Sequence, residues 1–186
     1  MITIVSGLPR SGTSLMMQML AAGGMTLLTD SQRKPDTDNP RGYCEWEPIK
    51  QLPKQPNLID EADGKVVKVI TQLLMAIPPG RQYKVIFMER PLAEVLASQD
   101  EMLRRRGVAD VVSHVAMTKA FQDHLAQVSA WLKTRADVTL CRQRYRKVLE
   151  DPLASAKAVA DFLGADLNVQ AMAGEVDPTL YRNRKP

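Results

Sequence analysis

The stretch that decides the fold is ITIVSGLPRSGTS, which runs from residue 2 to residue 14. Residues 2–6 predict a hydrophobic strand, residues 7–14 a glycine-flanked turn, and the apolar run that follows, residues 15–22, a helix. A strand, a glycine loop and a helix start in this order aim several backbone N–H groups and a positive helix end at one anion. The sequence therefore predicts an anion-binding turn directly after the first strand.

This turn differs from a nucleotide-binding P-loop at one position. A P-loop has a lysine directly after its second glycine, where the side chain reaches the β- and γ-phosphates. Here Thr13 occupies that place, and the basic charge lies inside the turn at Arg10. The missing lysine argues against ordinary ATP or GTP hydrolysis, so we expect an anion other than a triphosphate. A purely structural turn that uses glycine for positive φ is the alternative.

Size and charge are those of an ordinary globular protein. A length of 186 residues suits a single domain, residues 1–186, with its own core. The formal net charge of +4 is too small to indicate nucleic-acid binding and suits an anionic small molecule equally well. No apolar stretch approaches the roughly 18–20 residues that a membrane span needs. Nothing in the sequence indicates the oligomeric state.

Cysteine usage predicts a reduced, cytoplasmic setting. Cys44 and Cys141 lie far apart and have neither metal-binding nor redox spacing. With His114 and His124 as the remaining soft ligands, we expect no metal site. The first residues also lack the order of a signal peptide, because an apolar strand precedes the first charge.

Strands and helices alternate along the chain. Strands are predicted over residues 2–6, 65–70, 84–88 and 137–141, and helices over residues 15–22, 72–77, 91–106, 110–135 and 153–163. This alternation predicts a three-layer α/β/α fold with a central parallel sheet, like that of P-loop NTPases. Residues 29–64 are polar and proline-dotted with little periodicity, which is typical of a functional lid or binding wall.

Ligands of such sheets bind at the carboxyl ends of the strands. The third predicted strand is followed there by Glu89 and Arg90, and the fourth by Arg142 to Tyr145. Ser98 lies about two turns into the helix after Arg90, an axial gap of roughly 10 Å that an arginine side chain largely bridges. Arg90 and Ser98 therefore form a candidate second phosphate site. The alternative is a surface salt bridge from Arg90 to Glu94.

Three motifs together resemble the sulfotransferases that use 3′-phosphoadenosine-5′-phosphosulfate. The loop of that family, Pro-Lys/Arg-Ser-Gly-Thr-Thr/Ser, stands here as residues 9–14. Its second motif opens a helix with Arg-Pro or Arg-x-Pro and has a serine eight residues after the arginine, as Arg90 and Ser98 are spaced here. Its third is a strand, a tyrosine segment and a helix that ends in Phe-Leu-Gly, here residues 145–164. The arginine in the loop looks most like the bacterial and protein-tyrosine branches.

The resemblance implies a role for each of these residues. Arg10 would contact the bridging oxygen of the donor, and the loop residues Ser11, Gly12, Thr13 and Ser14 would hold its 5′-phosphosulfate. Arg90 and Ser98 would hold the 3′-phosphate, and Tyr145 belongs to the cofactor-binding set. The basic segment 181–185 resembles one that reaches back to the 3′-phosphate in relatives, although a solvated tail is an equal alternative. Sulfuryl transfer needs no divalent metal.

The transfer also needs a general base that takes the proton of the acceptor. Many relatives use a histidine just after the second strand, and residues 69–74 contain none. Other branches use a glutamate after the first helix, which points to Glu45, with Glu47 second. Tyr43 and Trp46 beside these carboxylates predict an apolar wall that raises the pKa of a glutamate. A solvated loop carboxylate is the alternative.

Three functions remain open at this point. The first is a sulfotransferase acting on a hydroxyl or amine of an acceptor that the sequence does not identify, bound by residues 29–64. Lys68, Thr71 and Gln72 are further candidates for contact with the acceptor, with a solvated strand end as the equal alternative. The second is a small-molecule P-loop kinase, against which Thr13 argues. The third is a catalytically silent module that binds a nucleotide or a partner.

Overall fold

A five-stranded parallel sheet forms the centre of the computed structural model, which describes residues 1–30, 32–37, 39–105, 107, 114–177 and 179. The strands are β1 (Ile2–Gly7), β2 (Leu27–Leu28), β3 (Val66–Lys68), β4 (Tyr83–Glu89) and β5 (Val138–Arg144). They lie in the order β2-β3-β1-β4-β5, and every neighbouring pair is parallel. Parallel strands need crossover connections, which the helices supply. The predicted fold class is confirmed.

Strand β1 lies at the middle of the sheet and carries the turn singled out above. All six of its residues are buried, because helices cover both faces of the sheet there. Its register pairs Val5 with Lys68 of β3 and Gly7 with Met88 of β4. The ends of β3 and β4 therefore flank the turn on either side.

Helices and loop segments pack on both faces of the sheet. The helices are α1 (Thr13–Ala22), α2 (Thr71–Leu74), α3 (Leu92–Arg105), α4 (His114–Thr134), α5 (Tyr145–Glu150), α6 (Pro152–Leu163) and α7 (Val169–Gly174). Residues of α1, α5, α6 and α7 form one apolar core with Val5 and Ile86 of the sheet. Residues of α2, α4 and the segment before β3 form the other core with Ile4 and Val85.

Helix α6 begins and ends at residues that are typical of helix ends. The Asp151 carboxylate accepts a hydrogen bond from the Ala154 N–H at 3.0 Å, and Pro152 takes the first helical position. Gly164 ends the helix with a φ of 60°, the left-handed conformation that glycine adopts without strain. The Lys84 ammonium also donates to the Leu163 carbonyl at 2.6 Å, which ties the helix end to β4.

Several predicted boundaries need correction. Strand β5 continues to Arg144, so Arg142 to Arg144 lie within it and not after it, and Glu89 is the last residue of β4. The sequence does not predict this extension, because β5 is an edge strand whose last residues have polar side chains. Its pairing with β4 nevertheless continues to Glu89 and Arg144. Strand β2 and helix α7 were not predicted, and α2 ends at Leu74. Residues 110–113 of the predicted long helix and the basic segment 181–185 lie outside the described residues.

The segment between α1 and β3 is more ordered than its composition suggests. It contains β2 and two 3₁₀ helices, Glu47–Gln51 and Pro56–Ala62. The 3₁₀ helices contribute Ile49 and Ile59 to the core beside α2 and α4. Residues 47–62 are therefore packed against the core. The irregular part of the predicted loop, called the wall below, is the shorter stretch between β2 and Glu47.

Candidate active site

The turn after β1 is held in an unusual backbone conformation. Arg10 has a φ of 70° and Gly12 a φ of 98°, both in the left-handed region. A non-glycine residue there costs on the order of 1–3 kcal/mol and persists only where surrounding structure imposes it. The Ser11 N–H donates to the Leu8 carbonyl at 3.1 Å and closes the turn. Helix α1 then begins at Thr13 without a side-chain cap, so its first N–H groups are donors for an anion.

Gly12 is packed against an aromatic ring. A methyl group at this position would collide with two ring carbons of Tyr145, which begins α5. Tyr145 is itself buried, at 8% exposure, and lies between the turn and the apolar core of α1 and α6. The glycine is therefore required for close approach as well as for its positive φ.

Arg10 and Ser98 meet directly. The Arg10 Nε donates to the Ser98 Oγ at 2.9 Å, although the two residues come from the turn and from the second turn of α3. Ser98 is buried, at 4% exposure. The loop cation and the serine of the second predicted phosphate site are thus adjacent.

Arg90 reaches the same turn from the end of β4. Its NH1 donates to the Arg10 carbonyl at 2.9 Å, and its guanidinium lies 4.7 Å from the centre of the Tyr145 ring. Its Nε donates to the Glu94 carboxylate at 3.0 Å. This ion pair was the alternative interpretation from sequence, but it is buried and lies beside the turn, with 7% and 2% exposure of the two side chains.

Lys68 supplies a third cation at the turn. Its Nζ lies 3.1 Å from the Ser14 Oγ, 2.8 Å from the Tyr43 carbonyl and 3.4 Å from the nearer Glu45 oxygen. Burial lowers the pKa of the Lys68 ammonium, an effect that the Glu45 carboxylate opposes. The lysine absent from position 13 therefore has a counterpart on the neighbouring strand β3.

Glu45 is surrounded by cations. Arg33 donates through NH1 to both carboxylate oxygens, at 3.0 and 3.2 Å, and Lys68 approaches from the other side. The Arg33 guanidinium also lies 3.3 Å from the centre of the Tyr43 ring. The predicted apolar wall is thus replaced by two ion pairs at this carboxylate, because β3 ends close enough for Lys68 to reach it.

The wall that carries Glu45 is fixed by hydrogen bonds. The Tyr43 hydroxyl donates to the Asp36 carboxylate at 2.8 Å; burial and this hydrogen bond raise the Tyr43 pKa. The Asp30 carboxylate accepts from the Glu47 N–H at 2.6 Å. Glu47 itself pairs with the exposed Lys50 at 2.6 Å.

One cavity of about 580 Å³ brings these residues together. Of the predicted site residues, it is lined by Arg10, Gly12, Thr13, Ser14, Glu45, Arg90, Ser98 and Tyr145, and also by Glu47, Lys68 and Gln72. Ser11 is buried beneath the turn, and its hydroxyl has no hydrogen-bond partner among the described residues. Thr71 is fully buried and does not line this cavity.

Residues that the sequence did not single out also shape the cavity. Arg33 had no signal, because an arginine in a polar loop is common. Glu94 was considered only as a surface partner of Arg90, and its burial has no sequence signature. Arg41 joins the loop to the segment after α7 through the Glu175 carbonyl, at 2.6 Å. Of these three residues, only Glu94 lies inside a sequence motif, between Arg90 and Ser98, and could have been found from the sequence.

Solved structures resemble this fold, although no known family model and no curated protein match the chain. The sulfotransferase STF1 from Mycobacterium tuberculosis aligns with a TM-score of 0.58 and 16% identity over 92% of this chain and 70% of that one. A sulfotransferase domain from the curacin biosynthetic pathway aligns with a TM-score of 0.58 and 13% identity over 100% of this chain and 92% of that one. A sugar kinase from a Janibacter species reaches a TM-score of 0.45 at 13% identity, over 96% of each chain, too weak a likeness to carry an argument.

These structural neighbours show the fold, which this chain shares with bacterial sulfotransferases. Among the described residues, no helix is both long and apolar enough to span a membrane. Within that same part of the chain, His, Cys, Asp and Glu side chains form no group of three that could hold a metal ion.

Proposed function

We propose that this protein is a sulfotransferase that moves a sulfuryl group from 3′-phosphoadenosine-5′-phosphosulfate to a hydroxyl or amine. The observation that carries the proposal is the convergence of Arg10, Arg90 and Lys68 on a glycine turn that lacks the P-loop lysine. An ATP site relies on that lysine and on magnesium. Three side-chain cations at one helix start instead suit a nucleotide with two separate anionic ends.

The residues present fit such a donor. The uncapped start of α1 and the hydroxyls of Thr13 and Ser14 offer donors for a 5′-phosphosulfate. Arg90 and Ser98 line the same cavity and would hold the 3′-phosphate. The volume of about 580 Å³ is in the range of small-molecule sites.

The donor, when bound, supplies a sulfur–oxygen bond that breaks as the acceptor oxygen or nitrogen bonds to sulfur, leaving 3′,5′-adenosine bisphosphate. Arg10 and Lys68 would stabilise the negative charge that develops on the departing phosphate and on the sulfonate. Glu45 would take the proton of the acceptor, since its carboxylate lines the same cavity as Arg10 and Lys68. We expect no metal in this reaction, and the cytoplasmic setting stays a prediction.

Thermal unfolding with two nucleotides tests this proposal. We expect 3′,5′-adenosine bisphosphate to raise the midpoint clearly, and ATP with magnesium to raise it less. The rise should vanish in Arg90→Ala and shrink in Arg10→Ala, while Lys157→Ala, which removes an exposed cation on α6, should respond like wild type. An equal or larger effect of ATP with magnesium would favour a kinase. If neither nucleotide had an effect, the result would instead favour a catalytically silent module.

A further inference from the structure

A buried carboxylate, that of Glu94, lies next to the candidate 3′-phosphate site formed by Arg90 and Ser98. Glu94 is 1% exposed and accepts from the Arg90 Nε at 3.0 Å and from Arg146 NH2 at 3.2 Å. Arg146 is about half exposed, at 48%, whereas Arg90 is buried. A carboxylate enclosed in this way is costly unless its partners are well placed.

The fold explains how the three side chains meet. Arg90 directly follows β4, and Glu94 lies one helical turn further, in the first turn of α3, where the helix dipole favours a negative charge. Strands β4 and β5 are in register at Glu89 and Arg144, so Arg146 at the start of α5 lies just beyond the same edge. The carboxylate therefore receives one arginine from the connection between β4 and α3 and one from α5.

The contacts of Arg90 define its orientation. One guanidinium nitrogen donates to Glu94, another donates to the Arg10 carbonyl at 2.9 Å, and the central carbon lies 4.7 Å from the centre of the Tyr145 ring. A guanidinium presents its donors in a rigid fork, so fixing one nitrogen fixes the direction of the others. Without Glu94, the charge of Arg90 would remain, but the guanidinium would lose the contact that fixes its Nε and would be held less firmly in its direction.

We propose that Glu94 is a positioning residue that aims Arg90 and thereby sets the preference of the site for a nucleotide with a 3′-phosphate. This inference rests on the proposed function, because it assigns the 3′-phosphate to Arg90. Glu94 does not line the cavity and acts through Arg90. A role only in joining α3 to α5 is the competing explanation.

The test compares binding of 3′,5′-adenosine bisphosphate with that of adenosine 5′-monophosphate by calorimetry, because the two ligands differ only in the 3′-phosphate. Glu94→Gln should weaken bisphosphate binding about tenfold, the value of one well-aligned charged hydrogen bond, and change monophosphate binding by less than about twofold. Glu150→Gln, which removes an exposed carboxylate from α5, should leave both affinities unchanged.

Two further variants separate positioning from structural support. In an Arg90→Ala background, the residual affinity for the bisphosphate is measured by calorimetry at higher ligand concentration than the thermal test uses. Glu94→Gln should cause no additional loss there, because a residue that acts through Arg90 has no further effect once Arg90 is removed. Arg146→Met should retain the preference for the bisphosphate, whereas a mere link between α3 and α5 would make it behave like Glu94→Gln. If Glu94→Gln does not fold, Glu94→Asp tests the same point, since it keeps the charge but withdraws it by one methylene.

The outcomes distinguish this inference from the proposed function. Wild-type protein that binds the two nucleotides equally well overturns both. Wild-type preference that survives in Glu94→Gln, or an additional loss in the Arg90→Ala background, overturns the positioning role alone. Equal weakening of both ligands in Glu94→Gln also overturns it, since general loosening of the turn affects them alike.

Discussion

Arg10 donates a hydrogen bond to Ser98 across 88 residues of sequence, with 2.9 Å between Nε and Oγ. The contact joins the turn after β1 to the middle of α3. It makes the loop cation and the second phosphate site neighbours, so a ligand that engages one of them changes the surroundings of the other. The first prediction follows from this contact.

Replacing Ser98 by alanine should weaken binding of 3′,5′-adenosine bisphosphate about tenfold, because a hydrogen bond to a charged group is lost. Adenosine 5′-monophosphate should bind nearly as before. Calorimetry on both nucleotides checks this, with Ser155→Ala as the control for loss of a buried hydroxyl elsewhere. Equal losses for both ligands would show that Ser98 only supports the turn.

Gly12→Ala should destabilise the protein more than Gly24→Ala does. Both glycines have φ near 100°, so both substitutions carry similar backbone strain. Only at Gly12 would the new methyl group meet a ring, that of Tyr145, and overpacking of this kind costs about 1–3 kcal/mol. Urea unfolding measures the difference in the free energy of unfolding. Equal costs would mean that Tyr145 does not fix the turn.

Lys68→Met should leave stability nearly unchanged at neutral pH, within about 1 kcal/mol, because a buried cation gains little over an apolar chain of similar length. The partners of Lys68 remain satisfied, since the Ser14 hydroxyl also donates to the Tyr43 carbonyl at 3.3 Å and Arg33 still pairs with Glu45 at 3.0 Å. Turnover should nevertheless fall about 10²–10³-fold, the usual effect of losing one preorganised donor. Unaltered turnover in a folded variant would remove Lys68 from the proposed chemistry.

The same lysine predicts a pH dependence of stability. Because burial lowers its pKa in the folded state, the unfolded chain binds the proton more tightly. The free energy of unfolding of the wild type should therefore rise, relative to Lys68→Met, as pH increases from the lowered folded value towards the ordinary lysine value. Urea unfolding of the two proteins at a series of alkaline pH values measures this. A difference that falls with pH would contradict the assigned burial effect.

Glu45→Gln should reduce transfer about 10²–10⁴-fold, as expected for loss of a general base, while bisphosphate binding stays near that of the wild type. Glu47→Gln is the matched control, because this carboxylate pairs with the exposed Lys50 instead of Lys68. Transfer from labelled donor to phenols, sugars and amines would provide the assay. Normal turnover in Glu45→Gln with any acceptor so found would refute its role as the base.

The sequence predicted the fold well where apolar periodicity and turn residues agree. The buried strand β1, the turn from Gly7 to Gly12 and the caps of α6 at Asp151 and Gly164 all carry local signals. The end of β5 does not, because an edge strand exposes polar side chains there and its length depends on pairing with β4.

The site was predictable only in part. The positions after β1 and β4 placed Arg10 and Arg90 at one edge of the sheet, since parallel strands end together. Side-chain direction was not predictable in the same way. That Lys68 turns to Ser14 and Glu45, or that Glu94 is enclosed between two arginines, depends on contacts between distant elements.

The wall that carries Glu45 is closed by a hydrogen bond, because the Asp30 carboxylate accepts from the Glu47 N–H at 2.6 Å. The candidate nucleotide-binding residues Arg10, Arg90 and Ser98 come from other elements, namely the turn after β1, the residue after β4, and α3. Because the two sets of residues belong to different elements, we expect substitutions in this wall to alter binding of the acceptor in the proposed reaction and to leave nucleotide binding near that of the wild type.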